Sequence, residues 1–270
     1  MERGGAPQNA VQLSLAWQLD VLERIESTTE LGEATRGTNQ SFNLSVGYGL
    51  SERWAIEVTA PLLLKRQDYL TAKGEQPRDV FGPGDPLALV KTTVVGLGAR
   101  NPRQLRIGLA AGVKIPVGES QTRQGGEPLP QAFQVSSGAW DGVLAGFLSV
   151  GAIDRGTAVG SLVLRLPTAN AQSYRFGPSA TLSSDLQLIH LFPLVISAGA
   201  RATWAGADHS PLEHVHASGG GQVAGHLGLG WNPGGAWFVT ADAVVPLVRV
   251  LTGNQMAAQH SWTVAVRTEL

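Results

Sequence analysis

The feature that most constrains this chain is a recurrent two-residue alternation of apolar with small or polar side chains. Phe42, Leu44, Val46, Tyr48 and Leu50 interleave with Asn43, Ser45, Gly47 and Gly49. Trp54, Ile56, Val58 and Ala60 interleave with Ala55, Glu57 and Thr59, and Trp262, Val264, Val266 and Thr268 with Thr263, Ala265, Arg267 and Glu269. Successive side chains of a β-strand point to opposite faces, so each segment offers one apolar face and one wet or small face. A coarse parse places strands near 10–23, 39–50, 53–65, 84–96, 104–116, 135–149, 156–168, 175–189, 193–206, 219–231, 236–250 and 257–270. Each supplies the roughly 9–11 residues that a tilted strand needs to cross a hydrocarbon layer.

The connections carry a second rhythm. Links around 50–53, 97–103, 150–155, 190–192 and 232–235 are short, whereas those near 24–38, 66–83, 117–134 and 207–218 are long, with 169–174 and 251–256 weaker members of the long set. Short and long links alternate along the chain. A closed barrel with an even number of strands and both termini on the periplasmic side predicts that parity. A soluble all-β sandwich, the competing architecture, has no reason to keep it. The expectation is therefore an all-β chain: a transmembrane antiparallel β-barrel of twelve strands over residues 10–270, after a flexible segment at 1–9. Closure also removes the strand edges that lipid would leave without hydrogen bonds.

Composition agrees. Charged residues make up only 15% of the chain, less than a soluble domain of 270 residues normally needs on its surface, while glycine reaches 34 residues. No apolar run is long enough for a membrane-spanning helix, so lipid around one face of every strand is the explanation for the missing charge. Cysteine is absent, which excludes disulfides, thiol catalysis and cysteine-ligated metals. A net charge of −1 without a basic cluster makes nucleic acid a poor partner. The segment Met1-Glu2-Arg3-Gly4-Gly5-Ala6-Pro7 has no apolar core of the kind an export signal carries, so the barrel reading requires that signal to lie outside this sequence.

Gly82-Pro83-Gly84-Asp85 and Gly96-Leu97-Gly98 lack the glycine spacing and following helix of a nucleotide-binding loop. They fit a different pattern. Gly47-Tyr48-Gly49-Leu50-Ser51-Glu52-Arg53-Trp54 through Pro61 resembles the second and third strands of the outer-membrane barrel family named for a protein of meta-pathway phenol degradation. Gly82-Pro83-Gly84-Asp85-Pro86 resembles that family's loop entering strand four, and Gly108–Gly118, with Lys114, Pro116 and Gly118, its fifth strand. Gly138-Ala139-Trp140-Asp141 and Tyr174-Arg175-Phe176-Gly177 look like its later landmarks, so the resemblance runs over about residues 40–270. It implies an outer-membrane channel or transporter for hydrophobic or aromatic compounds, assembled by the barrel-assembly machinery and embedded in outer-membrane lipid.

Polar groups on the inner face are the candidate site. Glu57 and Arg267 stand on the polar side of well-patterned strands, with Lys65, Arg106, Lys114, Arg165, Asp185, Arg201, His226, Asp242 and Glu269 as companions. Apolar residues occupy both parities before Lys91, so its facing is open; the interior is favoured because a lipid-facing charge costs about 2–4 kcal/mol at mid-membrane. Opposed charges can line a passage, or they can pair across it as interior salt bridges. Loops 24–38 and 117–134, especially Gln121–Pro130, are long enough to fold inward and gate it.

His209, Glu213, His214 and His216 form the densest set of metal-ligand types, with zinc or copper the ions that would suit them. Solvated loop histidines explain them more simply, beside Pro211 and the run Ser218-Gly219-Gly220-Gly221. No cofactor is implied. His190, His226 and His260 have no neighbouring serine in a nucleophile-elbow pattern, so no enzyme is expected. Trp54, Phe192, Trp231 and Trp237 near short turns, and Tyr69, Phe81, Tyr174 and Trp204 toward the other end, suit two interfacial belts. The function expected is a channel or passive transporter for small molecules. A nonconducting barrel that presents its loops to a partner is the alternative.

Overall fold

The computed structural model describes residues 9–24, 33–72, 74–97, 103–124, 126–152, 156–191, 193–211, 218–233, 236–253 and 255–270. Strands β1 (Val11–Arg24), β2 (Ala34–Gly49), β3 (Trp54–Thr71), β4 (Gly74–Pro83), β5 (Leu87–Leu97) and β6 (Arg103–Lys114) come first. A two-rung hairpin of β7 (Arg123–Gln124) and β8 (Glu127–Pro128) and a 3-10 turn at Gln131–Phe133 follow. Then come β9 (Asp141–Ala152), β10 (Gly156–Pro167), β11 (Ser179–Leu191), β12 (Leu194–Ala205), β13 (Gly220–Trp231), β14 (Trp237–Leu251) and β15 (Met256–Glu269).

Every neighbouring pair in the wall is antiparallel, and β1 closes the sheet by pairing with both β15 and β2. One long strand, β3, carries two partners in succession. Its Trp54–Thr59 half pairs with β5 and its Leu62–Thr71 half with β4, so β4 and β5 form a single stave broken at 84–86. The thirteen strands of the sheet thus make a closed barrel of twelve staves. The ends meet: the Val11 N–H donates to Leu270 O at 3.1 Å and the Leu270 N–H to Val11 O at 2.8 Å. That seam lies beside the tight turn at 50–53, since Val11 also pairs with Tyr48. The longer connections 115–140, 168–178 and 206–219 all stand at the opposite end.

Register turns the alternation into two surfaces. Leu15 pairs with Leu44 and Val266, and Val46 with Val58, so apolar residues meet apolar residues across strands. Leu44, Val58, Leu109, Leu144, Leu182 and Leu227 are all exposed on the outer wall. Trp54, Trp231 and Trp237 stand exposed near the short turns, and Phe81, Trp140 and Trp204 toward the long loops. This apolar surface encircles the barrel, far beyond the single patch of a few hundred Å² that a water-facing monomer tolerates. Inside, hydroxyls face one another across strands, Ser45 with Thr59 at 2.8 Å and Ser161 with Ser183 at 2.6 Å. Gly108 is glycine because the Phe147 ring lies where its Cβ would be.

Three boundaries depart from the sequence expectation. Residues 66–83, expected as one of the long links, form the upper β3–β4 hairpin instead. Their charges pair across rungs, Arg66 with Asp79 at 3.7 Å and Arg36 with both Asp68 at 2.8 Å and Glu75 at 3.3 Å, so the ladder continues into solvent. The link expected at 24–38 is shorter, because β2 already begins at Ala34. The strand expected from 135 begins at Asp141, because residues 134–140 are drawn into the barrel mouth by the bonds described below.

Candidate functional site: a charged lumen and an inward loop

The register places every charged candidate on the inner face. Glu57 and Lys91 lie on adjacent staves and form an ion pair of 2.8 Å, which settles the facing of Lys91. Arg106, Lys114, Arg165, Asp185, Arg201, His226, Asp242, Arg267 and Glu269 share that parity, as rungs such as Lys114↔Asp141, Arg165↔Ser179, His226↔Gly199 and Ser14↔Arg267 show. They do not form one site. Most sort into three groups along the barrel, whereas Arg106, Arg201 and Glu269 line neither of the two cavities below.

The first group lies at the mouth at the long-loop end. Lys114 Nζ lies 2.8 Å from Asp85 Oδ2 and 3.2 Å from Asp141 Oδ2, and Arg165 grips the same Asp141 oxygen. Asp85, Lys114 and Asp141 are buried, and Arg165 is nearly half exposed. Asp141 Oδ1 has no hydrogen-bond partner among the described residues. Asp85 also accepts from the Ser136 hydroxyl, the Ser137 N–H at 3.0 Å and the Ser137 hydroxyl at 3.2 Å. Burial alone would raise the Asp85 carboxyl, but the bonds from Lys114, Ser136 and the Ser137 backbone outweigh it and hold the group below its ordinary value.

Lys65 belongs to this group: its ammonium donates to Gln134 O at 2.6 Å and Ala132 O at 3.1 Å. Phe133, Leu129 and Val135 from the same loop pack with Val80 and partly buried Leu63, and the Phe133 ring meets Tyr69 edge-on at 6.2 Å. Tyr69 is therefore a buried partner of the loop and not a residue of the outer aromatic belt, as its position had suggested.

The second and third groups lie in the hollow half nearer the short turns. One cavity of about 350 Å³ is lined by Glu57, Lys91, Ser45, Leu89, Phe147 and Val163, among others. A second of about 200 Å³, lined by Asp185, Gln187, Ser197, Phe238, Thr240 and Asp242, shares Ser14 and Arg267 with the first. Arg267 thus stands between the two cavities and lines both. His226 Nε2 stands 3.5 Å from Asp185 Oδ2. Space for these side chains comes from opposite glycines: a Cβ on Gly199 would lie 2.8 Å from the His226 ring, and one on Gly228 would strike the Asp242 carboxylate.

Farther out, loops 168–178 and 206–211 are tied together. The Tyr174 hydroxyl donates to Asp208 Oδ2 at 2.5 Å, and Asp208 Oδ1 accepts from the Gly177 N–H at 2.8 Å. Burial and then this bond push the Tyr174 phenol above its ordinary value. His209 exchanges backbone bonds with Arg175, at 2.8 and 2.9 Å. Glu213, His214, His216 and Phe192 lie outside the described residues, as do residues 1–8. Among the described residues, no three His, Cys, Asp or Glu side chains converge as a metal site.

Sequence reasoning missed Asp85 and Asp141 as functional groups. Both fall in glycine-containing motifs, Gly82-Pro83-Gly84-Asp85 and Gly138-Ala139-Trp140-Asp141, whose acidic ends were the available signal. Charge alone could not find them, because each is separated from Lys114 by more than twenty residues.

Barrel, apolar girdle and charged lumen define the class of protein: a twelve-stranded antiparallel barrel with the fold of an outer-membrane channel. The likeness that shows this is to an outer-membrane channel from Pseudomonas putida F1, with a TM-score of 0.74 and 13% identity over 100% of this chain and 99% of that one. The β domain of the Bordetella autotransporter BrkA aligns with a TM-score of 0.48 and 9% identity, over 97% of this chain and 100% of that one. The monoaromatic hydrocarbon channel CymD aligns with a TM-score of 0.46 and 7% identity, over 98% and 89%. No family model and no curated protein matches the sequence.

Proposed function

We propose that this chain is an integral outer-membrane protein of a diderm bacterium, with both termini periplasmic, that passes small molecules down their gradients. The observation that carries the reading is the pairing of an apolar outer girdle with a hollow, charged lumen, a combination that water on the outside would not sustain. Membrane lipid is its surroundings, and the barrel-assembly machinery is the partner its biogenesis requires. Glu57, Lys91, Arg267, Asp185 and Asp242 border the route.

Hydrophobic or aromatic compounds are the substrate class proposed. Leu89, Phe147 and Val163 give the larger cavity an apolar wall beside its ion pair, and the sequence motifs resemble the phenol-degradation barrel family. No catalytic role is assigned to any side chain. The inward loop favours a second reading, a nonconducting barrel whose outer loops meet another envelope component.

Planar-bilayer recording on the purified chain, after insertion has been verified, tests the open passage. Reproducible current steps are expected, with ion selectivity shifted by Glu57→Lys toward anions and by Arg267→Glu toward cations. Verified insertion with silent currents overturns a constitutively open passage and leaves a gated or ligand-specific transporter beside the nonconducting barrel.

A further inference from the structure

The segment 115–140 contributes nothing to the closure of the barrel. Strands β6 and β9 pair rung for rung from Arg103↔Ala152 to Lys114↔Asp141, so the segment leaves one stave and returns to the adjacent one. Only its two end residues bond the wall backbone among the described residues, the Ile115 N–H donating to Pro86 O at 2.8 Å and Trp140 O accepting from the Thr168 N–H at 2.9 Å, so the part between them could swing outward with the wall ladder intact. What holds it inward is local: the small apolar cluster around Phe133, the Lys65 bonds to two loop carbonyls, the Asn170 amide donating to Ser137 O at 3.1 Å, the Lys114 ammonium donating to the Ser137 hydroxyl, and Asp85.

Asp85 differs from the other ties because it grips both arms of the segment at once. On the outgoing arm the Gly118 N–H approaches Asp85 Oδ1 at 3.4 Å, and on the returning arm Ser136 and Ser137 donate to the same carboxylate. Lys114, at the root of the outgoing arm, holds the carboxylate in place at 2.8 Å. Asp85 itself sits on the break between β4 and β5, where no wall rung fixes it.

Both arms carry a glycine that the closed position demands. A Cβ on Gly118 would strike the Pro83 carbonyl, and Gly138 holds φ +66°, in the left-handed region that favours glycine. The two glycines bracket the packed loop.

We propose that residues 115–140 form a releasable gate over the lumen, with the Asp85 carboxylate as the latch that pins both arms shut. Its consequence for transport rests on the channel reading; the latch itself does not. Opening moves Phe133 and Val135 away from Val80 and Leu63 and exposes the cavity bordered by Glu57 and Arg267. The ion pairs of Asp141 with Lys114 and Arg165 stay behind in the wall.

The natural absence of cysteine makes the test direct. Val135→Cys places one thiol in the buried loop cluster, where Val135 is 5% exposed. Its maleimide labelling rate is compared in the otherwise unchanged chain and with Asp85→Ala, at one neutral pH. Loss of the charge-assisted bonds to Asp85 is expected to raise the rate about tenfold or more. Ser136→Ala with Ser137→Ala, which removes the hydroxyl bonds from the loop side and spares the Asp85–Lys114 pair, should act in the same direction. Equal labelling in all three folded proteins overturns the latch. Bilayer recording of the same proteins keeps the two readings apart. Faster labelling with more frequent current steps supports the gate, whereas faster labelling with silent currents throughout supports the latch and overturns the channel.

Discussion

Asp141→Asn is expected to destabilise the barrel by about 2–3 kcal/mol and Arg165→Met by less than about 1 kcal/mol, although the two side chains share one ion pair. The inequality comes from burial. Asp141 is 1% exposed and holds Lys114, itself 9% exposed, on one side and Arg165, 45% exposed, on the other. Together with Asp85 the cluster contains two carboxylates and two cations, a balanced set. Breaking a buried pair by removing one partner costs roughly 3–5 kcal/mol, because a charge is left without solvent or partner. Asp141→Asn falls at or below the lower end of that range, since Lys114 keeps Asp85 and the Ser137 hydroxyl. Arg165 reaches water, so its pair with Asp141 falls toward the surface value of about 0–1 kcal/mol, and its removal leaves Asp141 still held by Lys114. Urea unfolding in lipid vesicles, followed by the fluorescence of the 7 tryptophans, measures both variants at one pH and salt. Equal losses, or a larger loss for Arg165→Met, would refute the argument that burial of the shared carboxylate sets the energy.

Two further outcomes are expected. Leu186→Arg, which puts a charge on the outer girdle where Leu186 is 51% exposed, should cost about 2–4 kcal/mol in bilayers, whereas Gln187→Arg on the lumen side beside Asp185 should cost much less; equal urea midpoints for the two would contradict a lipid-facing girdle. The Asp85 carboxyl is held below its ordinary value, so its contribution is fully present above the unfolded value of about 4 and is lost as pH falls through the lower folded value. The charges facing it are Lys114 and Lys65, with Asp141 and Arg165 behind Lys114. The urea-midpoint gap between wild type and Asp85→Ala should therefore shrink as pH falls from about 5 toward 2, and a gap that widens on acidification would reverse the assigned sign.

Much of this architecture was legible before any coordinates, and the physical reason is that strands are local. A period of two is written in Phe42–Leu50 and Trp262–Glu269 without reference to the rest of the chain, and it fixed which side chains share a face. The inward facing of Glu57 and Arg267 follows from that parity alone. Lys91 was ambiguous because Leu87, Ala88, Leu89 and Val90 fill both parities, and only the rung Ala55↔Lys91 with the neighbouring Glu57 decided it.

Tertiary structure alone decided how the charges group. Asp85, Lys114, Asp141 and Arg165 come from the β4–β5 break and three successive staves, and neither the spacing of their positions nor their charge foretold a common cluster. The length of segment 117–134 allowed an inward fold, but its composition, mixed between Gln121 and Pro130, did not say what would receive it. The receiving surface is built by Leu63, Val80 and Tyr69 on a hairpin expected from the sequence as a long link. Facing is a property of a residue and its two neighbours, so the sequence carries it. Which faces meet across a closed barrel depends on register and on where the long connections settle, and those are fixed only when the whole sheet closes.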